Sequence, residues 1–138
     1  MALFHLEIAT PEQRIVAADV LAVTLPVAEG EIQILAGHIP LLTRLTGGAV
    51  EITMPDGTQE FLALGEGFAR ITPTHVAVLS EDAVHARDVD EIEVEEARRK
   101  AEARLNEKLS AEEHAAVSAT LAHAAAQLRI KRRQQGGR

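Results

Sequence analysis

The sequence predicts a mainly β protein with an α-helical end: an N-terminal flattened β-sandwich or barrel of about eight to ten strands, then a C-terminal antiparallel two-helix hairpin. In residues 1–87 apolar and polar residues alternate with period two, which places one set of side chains on a buried sheet face. Turn signals containing Gly or Pro separate these runs. From Asp88 onward there is no Pro, and Ala, Glu, Arg, Leu and Lys prevail, which is typical of helices. We therefore expect a sandwich in residues 1–87 and a hairpin in residues 88–138.

The strands are predicted from apolar residues two positions apart, and the turns from Gly and Pro, which favour chain reversal. The alternating apolar residues are Phe4, Leu6 and Ile8; Leu21, Val23 and Leu25; Ile32 and Ile34; Val50, Ile52 and Met54; Val76 and Val78. The turn signals lie at 29–30, 47–48, 55–57, 65–67 and 72–74.

Two helices are expected, the first from about residue 90 to 106. The second begins at Ser110, which reads as an N-cap with Glu113 completing a capping box. Along it runs an apolar stripe beside a row of alanines, and such small residues favour a close approach of the two helices. The stripe is Val117, Leu121, Ala124 and Leu128, and the alanine row is Ala115, Ala119, Ala122 and Ala126.

Charge divides the chain at the same place. Residues 1–87 contain no Lys, four Arg and eleven acids, whereas residues 88–138 contain ten basic and ten acidic side chains. A basic cluster near the C-terminus complements the dipole of the second helix, or else forms an interaction surface; both interpretations stay open. The cluster is Arg129, Lys131, Arg132 and Arg133.

Several classes of function are disfavoured. The sequence has no Cys, no phosphate-binding glycine loop, no His pair at helical metal-binding spacing and no Ser in a GxSxG context, so we expect no enzyme, no cofactor and no metal site. A pI near 5.3 opposes nucleic-acid binding. We see no signal peptide and no transmembrane run, so any membrane association is expected to be indirect.

One segment carries a specific resemblance. Residues 30–45 read GEIQILAGHIPLLTRL, and Gly47-Gly48 follows closely. This segment resembles the signature of ATP synthase epsilon subunits, Gly-x-(Ile/Leu)-x-(Ile/Val)-Leu-x-Gly-His-x-Pro-Leu-Leu-Thr. Further matches follow in order along the chain, at the opening strand with residues 10–12, at the Gly65-x-Gly67-Phe68 turn, at residues 76–79 and at residues 97–102.

The resemblance implies a non-catalytic rotor subunit of a proton-translocating ATP synthase. Its sandwich would bind the gamma subunit and the c-subunit ring at the cytoplasmic face of a bacterial plasma membrane. For His38 the alternative is a side chain that only satisfies turn carbonyls, and for Glu31 it is a solvated acid. The residues that match the rotor-facing loops are Glu29, Gly30, Glu31, Gly37, His38 and Pro40.

The resemblance also implies a movable hairpin that permits activity when compact and inhibits ATP hydrolysis when it reaches the alpha/beta catalytic head. The candidate head contacts are cations on both helices, and several would act together because exposed ion pairs contribute only ~0.2–1 kcal/mol each. They are Arg98, Arg99, Arg129, Lys131, Arg132 and Arg133.

The chain departs from the family at a nucleotide motif, (Ile/Leu)-Asp-x-x-Arg-Ala, at the start of the first helix. In either possible register a glutamate, Glu93 or Glu96, replaces the arginine, and a carboxylate repels phosphate. We therefore expect no nucleotide site. The alternative to the rotor subunit is a free-standing β-sandwich binding module that dimerises through its helices.

Overall fold

The computed structural model describes residues 2–136 and confirms the predicted order of elements, with strands first and helices last. The strands are β1 (Phe4–Ala9), β2 (Arg14–Val20), β3 (Ala22–Val27), β4 (Gly30–Leu35), β5 (Leu41–Leu45), β6 (Gly48–Thr53), β7 (Gln59–Leu64), β8 (Gly67–Ile71), β9 (His75–Ser80) and β10 (Ala83–His85). A 3-10 turn at Ala86–Asp88 leads to α1 (Glu91–Leu105), and α2 is Ala111–Gly136.

The strands form one sheet in the order β10-β7-β6-β3-β5-β8-β9-β1-β2, and β4 also pairs with β3. The β1–β9 pair is parallel and the other pairs are antiparallel. The sheet encloses a core of aliphatic side chains in which Phe4 is the aromatic member. Phe4, Leu6 and Ile8 are buried on alternate positions of β1, as the period-two pattern predicts.

Strand β7 is an exception to alternation, because four consecutive residues from Phe61 to Leu64 are buried. Leu62 and Leu64 belong to the main core. Phe61 and Ala63 point to the other face, where α2 covers them in a second, smaller cluster. A strand buried on both faces reads as a continuous apolar run rather than an alternating one.

Local hydrogen bonds fix both helix starts. Asp90 caps α1 by accepting from the backbone N–H groups of Ile92 and Glu93 at 3.0 and 3.2 Å. At α2 the predicted capping box is confirmed: the Glu113 N–H donates to Ser110 Oγ and the Ser110 N–H donates to Glu113 Oε1, both at 3.1 Å. The Ser110 backbone N–H holds the pKa of the Glu113 carboxyl below its ordinary value, so the capping box is intact above the ordinary pKa of Glu and weakens as the pH falls through the lowered one.

The predicted close packing of the two helices is confirmed, but the alanine row as a whole does not mediate it, since Ala115, Ala119 and Ala122 are exposed. The helix α1 packs on α2, and α2 in turn contacts β6, β7 and the 3-10 turn. The residues of α2 that contact the sandwich cluster are Ala126 and Ile130. The apolar surface of α2 therefore packs against both α1 and the sandwich, whereas the sequence pattern predicted only the contact with α1.

Candidate functional site: an exposed sheet face and a docked hairpin

The outward side of β5, β8 and β9 carries large apolar side chains that nothing in the described part of the chain covers. Leu42 is 72% exposed, Phe68 is 57% exposed and Leu79 is 61% exposed. The strand register places them on adjacent rows, because Phe68 lies opposite Leu79 and next to Arg44, and Leu42 lies opposite Arg70. We call the side chains of Leu42, Arg44, Phe68, Arg70, Ala77 and Leu79 the outer face.

Two arginines lie among these apolar side chains. Arg44 donates to Glu66 at 3.2 Å, and both side chains are mostly exposed. Arg70 lies on the middle strand β8 between Leu42 and Ala77, and within residues 2–136 it makes no ion pair. A surface that combines large apolar side chains with arginines is typical of a protein interface, and a matching partner surface would offer apolar side chains and a carboxylate facing Arg70.

The predicted rotor-facing residues fall at two opposite ends of β4. Glu29 lies in the tight turn between β3 and β4, Gly30 adopts φ 126° there, and Glu31 is exposed beside Pro26. Gly37 begins the turn after β4, at the other end of the strand. The length of β4 separates the two groups by roughly 17 Å, so they do not form one patch.

The Gly37–Pro40 turn adjoins the outer face, because β5 begins at Leu41. Gly37 has φ 86°, and its N–H donates to the Pro73 carbonyl at 2.8 Å. The His38 Nδ1–H donates to the Ile39 carbonyl at 2.7 Å, which is the turn-satisfying arrangement weighed in the sequence. The other ring nitrogen of His38 has no hydrogen bond among the described residues, and Pro40 is exposed.

The hairpin docks on the sandwich through one end of α2. Ile130 is fully buried there and packs in a cluster with Phe61, which is 5% exposed. Arg133 Nη2 donates to Glu51 Oε2 at 2.8 Å, and its guanidinium carbon lies 5.0 Å from the Phe61 ring centroid. Farther along α2, His123 Nε2 lies 3.4 Å from Asp82 Oδ2.

The predicted head-contact cations divide into bound and free ones. Arg98 forms ion pairs with Glu95 and Glu102 within α1, and its hydrogen bond holds the pKa of Glu95 below the ordinary value. Arg133 is bound to the sandwich. Within residues 2–136 no ion pair involves the other four, which are Arg99, Arg129, Lys131 and Arg132.

A cleft of about 300 Å³ opens between the start of α1 and the middle of α2. Glu93 lines it together with Asp88 and Asp90, whereas Glu96 does not. The structure thus selects Glu93, of the two glutamates considered, as the one that faces this cleft. Three carboxylates in one small cleft create a negative potential.

Within residues 2–136, no group of three His, Asp or Glu side chains comes together in a way that could hold a metal ion. In the same described residues, neither helix has an apolar stretch long enough to cross a membrane.

Sequence reasoning missed the residues that create both surfaces, namely Leu42, Phe68, Leu79, Glu51 and Phe61. A signal existed for the outer face, since Leu79 breaks the alternation of β9 by placing a large apolar residue on its outward side. The contact between Arg133 and Glu51 joins residues far apart in the chain, and no local pattern reports such a pair.

A sandwich with an open apolar face and a docked helical hairpin has the surface features of a protein-binding module. A sequence model described as "ATP synthase, Delta/Epsilon chain, beta-sandwich domain" matches residues 3–86. The ATP synthase epsilon chain 2 of Ralstonia nicotianae is 40% identical over 98% of this chain and 100% of its own length. The ATP synthase epsilon chain of Bordetella avium is 38% identical over 100% of this chain and 98% of its own. This chain therefore belongs to the ATP synthase delta/epsilon chain family, and the resemblance found in the sequence is confirmed.

Two solved structures share the fold. One is a chain of the Euglena gracilis mitochondrial ATP synthase structure of OSCP, F1 and c-ring, with a TM-score of 0.73, 22% identity and coverage of 99% of this chain and 82% of that one. The other, from the Tetrahymena thermophila mitochondrial ATP synthase central stalk and c-ring, has a TM-score of 0.63, 13% identity and coverage of 93% and 96%. At these identities the likeness concerns the fold.

Proposed function

We propose that this chain is a non-catalytic epsilon subunit of a rotary proton-translocating ATP synthase and works in the central stalk, where it couples proton flow to ATP synthesis. The observation that carries this is the open apolar face on a sandwich whose family and full-length relatives are ATP synthase epsilon chains. A monomer gains nothing from three large apolar side chains in water, so a partner surface accounts for them.

The gamma subunit is the proposed partner of the outer face and of the adjoining Gly37–Pro40 turn. The c-subunit ring is the proposed partner of the Glu29–Glu31 turn, because this turn is exposed and lies at the far end of β4. Contact with the ring would hold the protein at the cytoplasmic face of a bacterial plasma membrane indirectly. The alternative of a helix-mediated dimer is less well supported, since α2 already buries its sandwich-facing residues within the chain.

The hairpin is proposed to inhibit ATP hydrolysis by contact with the alpha/beta head. Arg99, Arg129, Lys131 and Arg132 support this role, because they offer cations that the described chain leaves without an ion pair. Several weak exposed pairs acting together would make the inhibition sensitive to salt.

The experiment adds the full-length chain, or a form ending at Arg87, to an alpha–beta–gamma complex that lacks this subunit. We expect both forms to bind, because the main core lies within the sandwich, and only the full-length chain to slow ATP hydrolysis. Inhibition should decrease as salt rises from about 50 to 500 mM. Binding by neither form would refute the rotor assignment. If both forms bind and the rate of ATP hydrolysis is the same with either, the inhibitory role is refuted.

We also propose that the α1–α2 cleft binds no nucleotide. Glu93, Asp88 and Asp90 line it, so a polyphosphate entering the cleft would meet like charge. Calorimetry with ATP on the isolated chain should give no heat of binding at millimolar nucleotide, and Glu93→Arg should increase any affinity. A dissociation constant of about 1 mM or lower for the unaltered chain would contradict the proposal.

A further inference from the structure

We propose that Arg133, Glu51 and Phe61 form a latch that sets the balance between docked and released α2, an inference that rests on the proposed regulatory role of the hairpin. In this latch an arginine–glutamate ion pair lies against the face of a buried aromatic ring. The Arg133 guanidinium donates to the Glu51 carboxylate at 2.8 Å and lies 5.0 Å above the Phe61 ring. The Glu51 side chain is 21% exposed and the Arg133 side chain 47%, so water screens this pair only in part.

Apart from Phe61, the docking surface has few large apolar side chains, so the latch is an important part of it. The buried cluster between α2 and the sandwich consists mainly of alanines, and Ile130 and Val89 are its other larger members. Alanine contributes little apolar area on burial, so the cluster is far weaker than the main core. The helix α1 packs on α2 and makes no comparable contact with the sandwich, so it adds little to docking directly.

A second polar contact lies along the same interface, between His123 and Asp82. Their atoms are 3.4 Å apart, and the Asp82 side chain is 56% exposed. This longer and more exposed contact contributes less than the 2.8 Å contact between the Arg133 guanidinium and the Glu51 carboxylate. The Arg133 contact is therefore the main polar restraint on the docked helix.

The latch also links the two proposed states of the hairpin. Arg133 lies in the basic cluster proposed to contact the catalytic head, but in the docked state its guanidinium faces Glu51 and Phe61. The same side chain therefore cannot serve the sandwich and the head at once. Its neighbour Arg132 is exposed and makes no ion pair within residues 2–136, so it is not occupied in this way.

The test measures amide hydrogen exchange of the full-length isolated chain, comparing residues 124–130 of α2 with the strands β1 and β9. We expect Arg133→Gln and Glu51→Gln each to lower protection of residues 124–130 roughly fivefold to tenfold while strand protection stays unchanged. Arg132→Gln is the matched control, since it removes the same charge from the same turn of the helix, and it should change protection less than about twofold. Phe61→Leu keeps an apolar side chain at this position but removes the aromatic ring under Arg133, and it should lower the protection of residues 124–130 severalfold.

The double variant Glu51→Gln/Arg133→Gln decides whether the two residues act as a pair. A latch predicts that the double variant loses no more protection than Arg133→Gln alone, because that single change already removes both the ion pair and the contact with the Phe61 ring. Equal effects of Arg132→Gln and Arg133→Gln, or additive effects in the double variant, would overturn the proposal. These results come from the isolated chain, so they stand apart from the hydrolysis assay, in which Glu51→Gln should deepen inhibition by releasing α2 with its cations intact.

Discussion

Replacing Gly67 by alanine should destabilise the sandwich by at least about 3 kcal/mol, a large fraction of the stability of a small domain. Gly67 pairs with Ser80 between β8 and β9. A Cβ atom there would lie 1.9 Å from the Leu79 carbonyl oxygen and 2.8 Å from the Ser80 Cα. Both are backbone atoms of the paired strand, so the clash is relieved only by separating β8 from β9. The loss in free energy of unfolding is measured by urea unfolding monitored with circular dichroism.

Gly65→Ala is the matched control, two residues earlier in the same turn. Its Cβ would lie 2.5 Å from Asp82 Oδ1 and 2.7 Å from Glu81 Cγ, and both are side-chain atoms that are able to rotate away. We expect that variant to lose about 1 kcal/mol or less. If the two variants unfold at the same urea concentration, backbone crowding at Gly67 is not the reason that glycine occupies this position.

The same turn shows how a buried hydroxyl supports the strand ends. Ser80 is 2% exposed, and its Oγ lies 2.7 Å from the Asp82 carbonyl oxygen and 3.1 Å from the Gly65 carbonyl oxygen. A single hydroxyl hydrogen thus lies near two backbone acceptors, one in each of the β7–β8 and β9–β10 turns. Separation of β8 from β9 would break this arrangement, which adds to the expected cost at Gly67.

Local features of the fold were predictable because they depend on residues near one another in the sequence. The capping box at Ser110 and Glu113 needs only a three-residue spacing. The buried positions of β1 and β9 follow from period-two alternation, which is seen when one face of the sheet is buried and the other is exposed to solvent. The predicted start of α1 near residue 90 agrees with a helix that begins at Glu91.

Features that depend on what covers a face were not predictable. The run from Phe61 to Leu64 is buried on both sides because α2 lies over β7, and neither period-two nor helical spacing reports a covering helix. For the same reason no local pattern separates Arg133 from the other members of the basic cluster. In the structure Arg133 differs from its neighbours because it forms an ion pair with Glu51, a residue 82 positions away in the chain.

The outer face was hidden for the opposite reason, because its members look like core residues. Phe68 and Leu79 are large and apolar, and composition alone would bury them. The strand register places them outward, since Ala69 and Val78 on the adjacent positions fill the core instead. The break in the β9 alternation at Leu79 is a local sign of this face, and the strand register is needed to add Phe68 and Leu42 to it.

Introducing a charge on the outer face should abolish gamma binding while the sandwich stays folded. We expect Phe68→Glu and Leu79→Glu each to weaken affinity for the gamma subunit at least about a hundredfold, because a buried carboxylate would replace a large apolar contact near the centre of the proposed interface. Both side chains are more than half exposed in the free chain, so stability should change by less than about 1 kcal/mol. Affinity is measured by surface plasmon resonance against immobilised gamma, and stability by urea unfolding.

The control is Gln33→Glu on β4, an exposed strand position paired with Thr24 and away from the outer face. It adds the same charge to the same domain, so it separates a local contact from a change in net charge, and its affinity should stay within about twofold of the unaltered chain. Arg70→Glu extends the test, because it reverses the one outer-face cation that makes no ion pair within residues 2–136 and should slow association most at low salt. If Phe68→Glu and Gln33→Glu bind gamma equally well, gamma is not the partner of this face, and the three exposed side chains require a different protein to cover them.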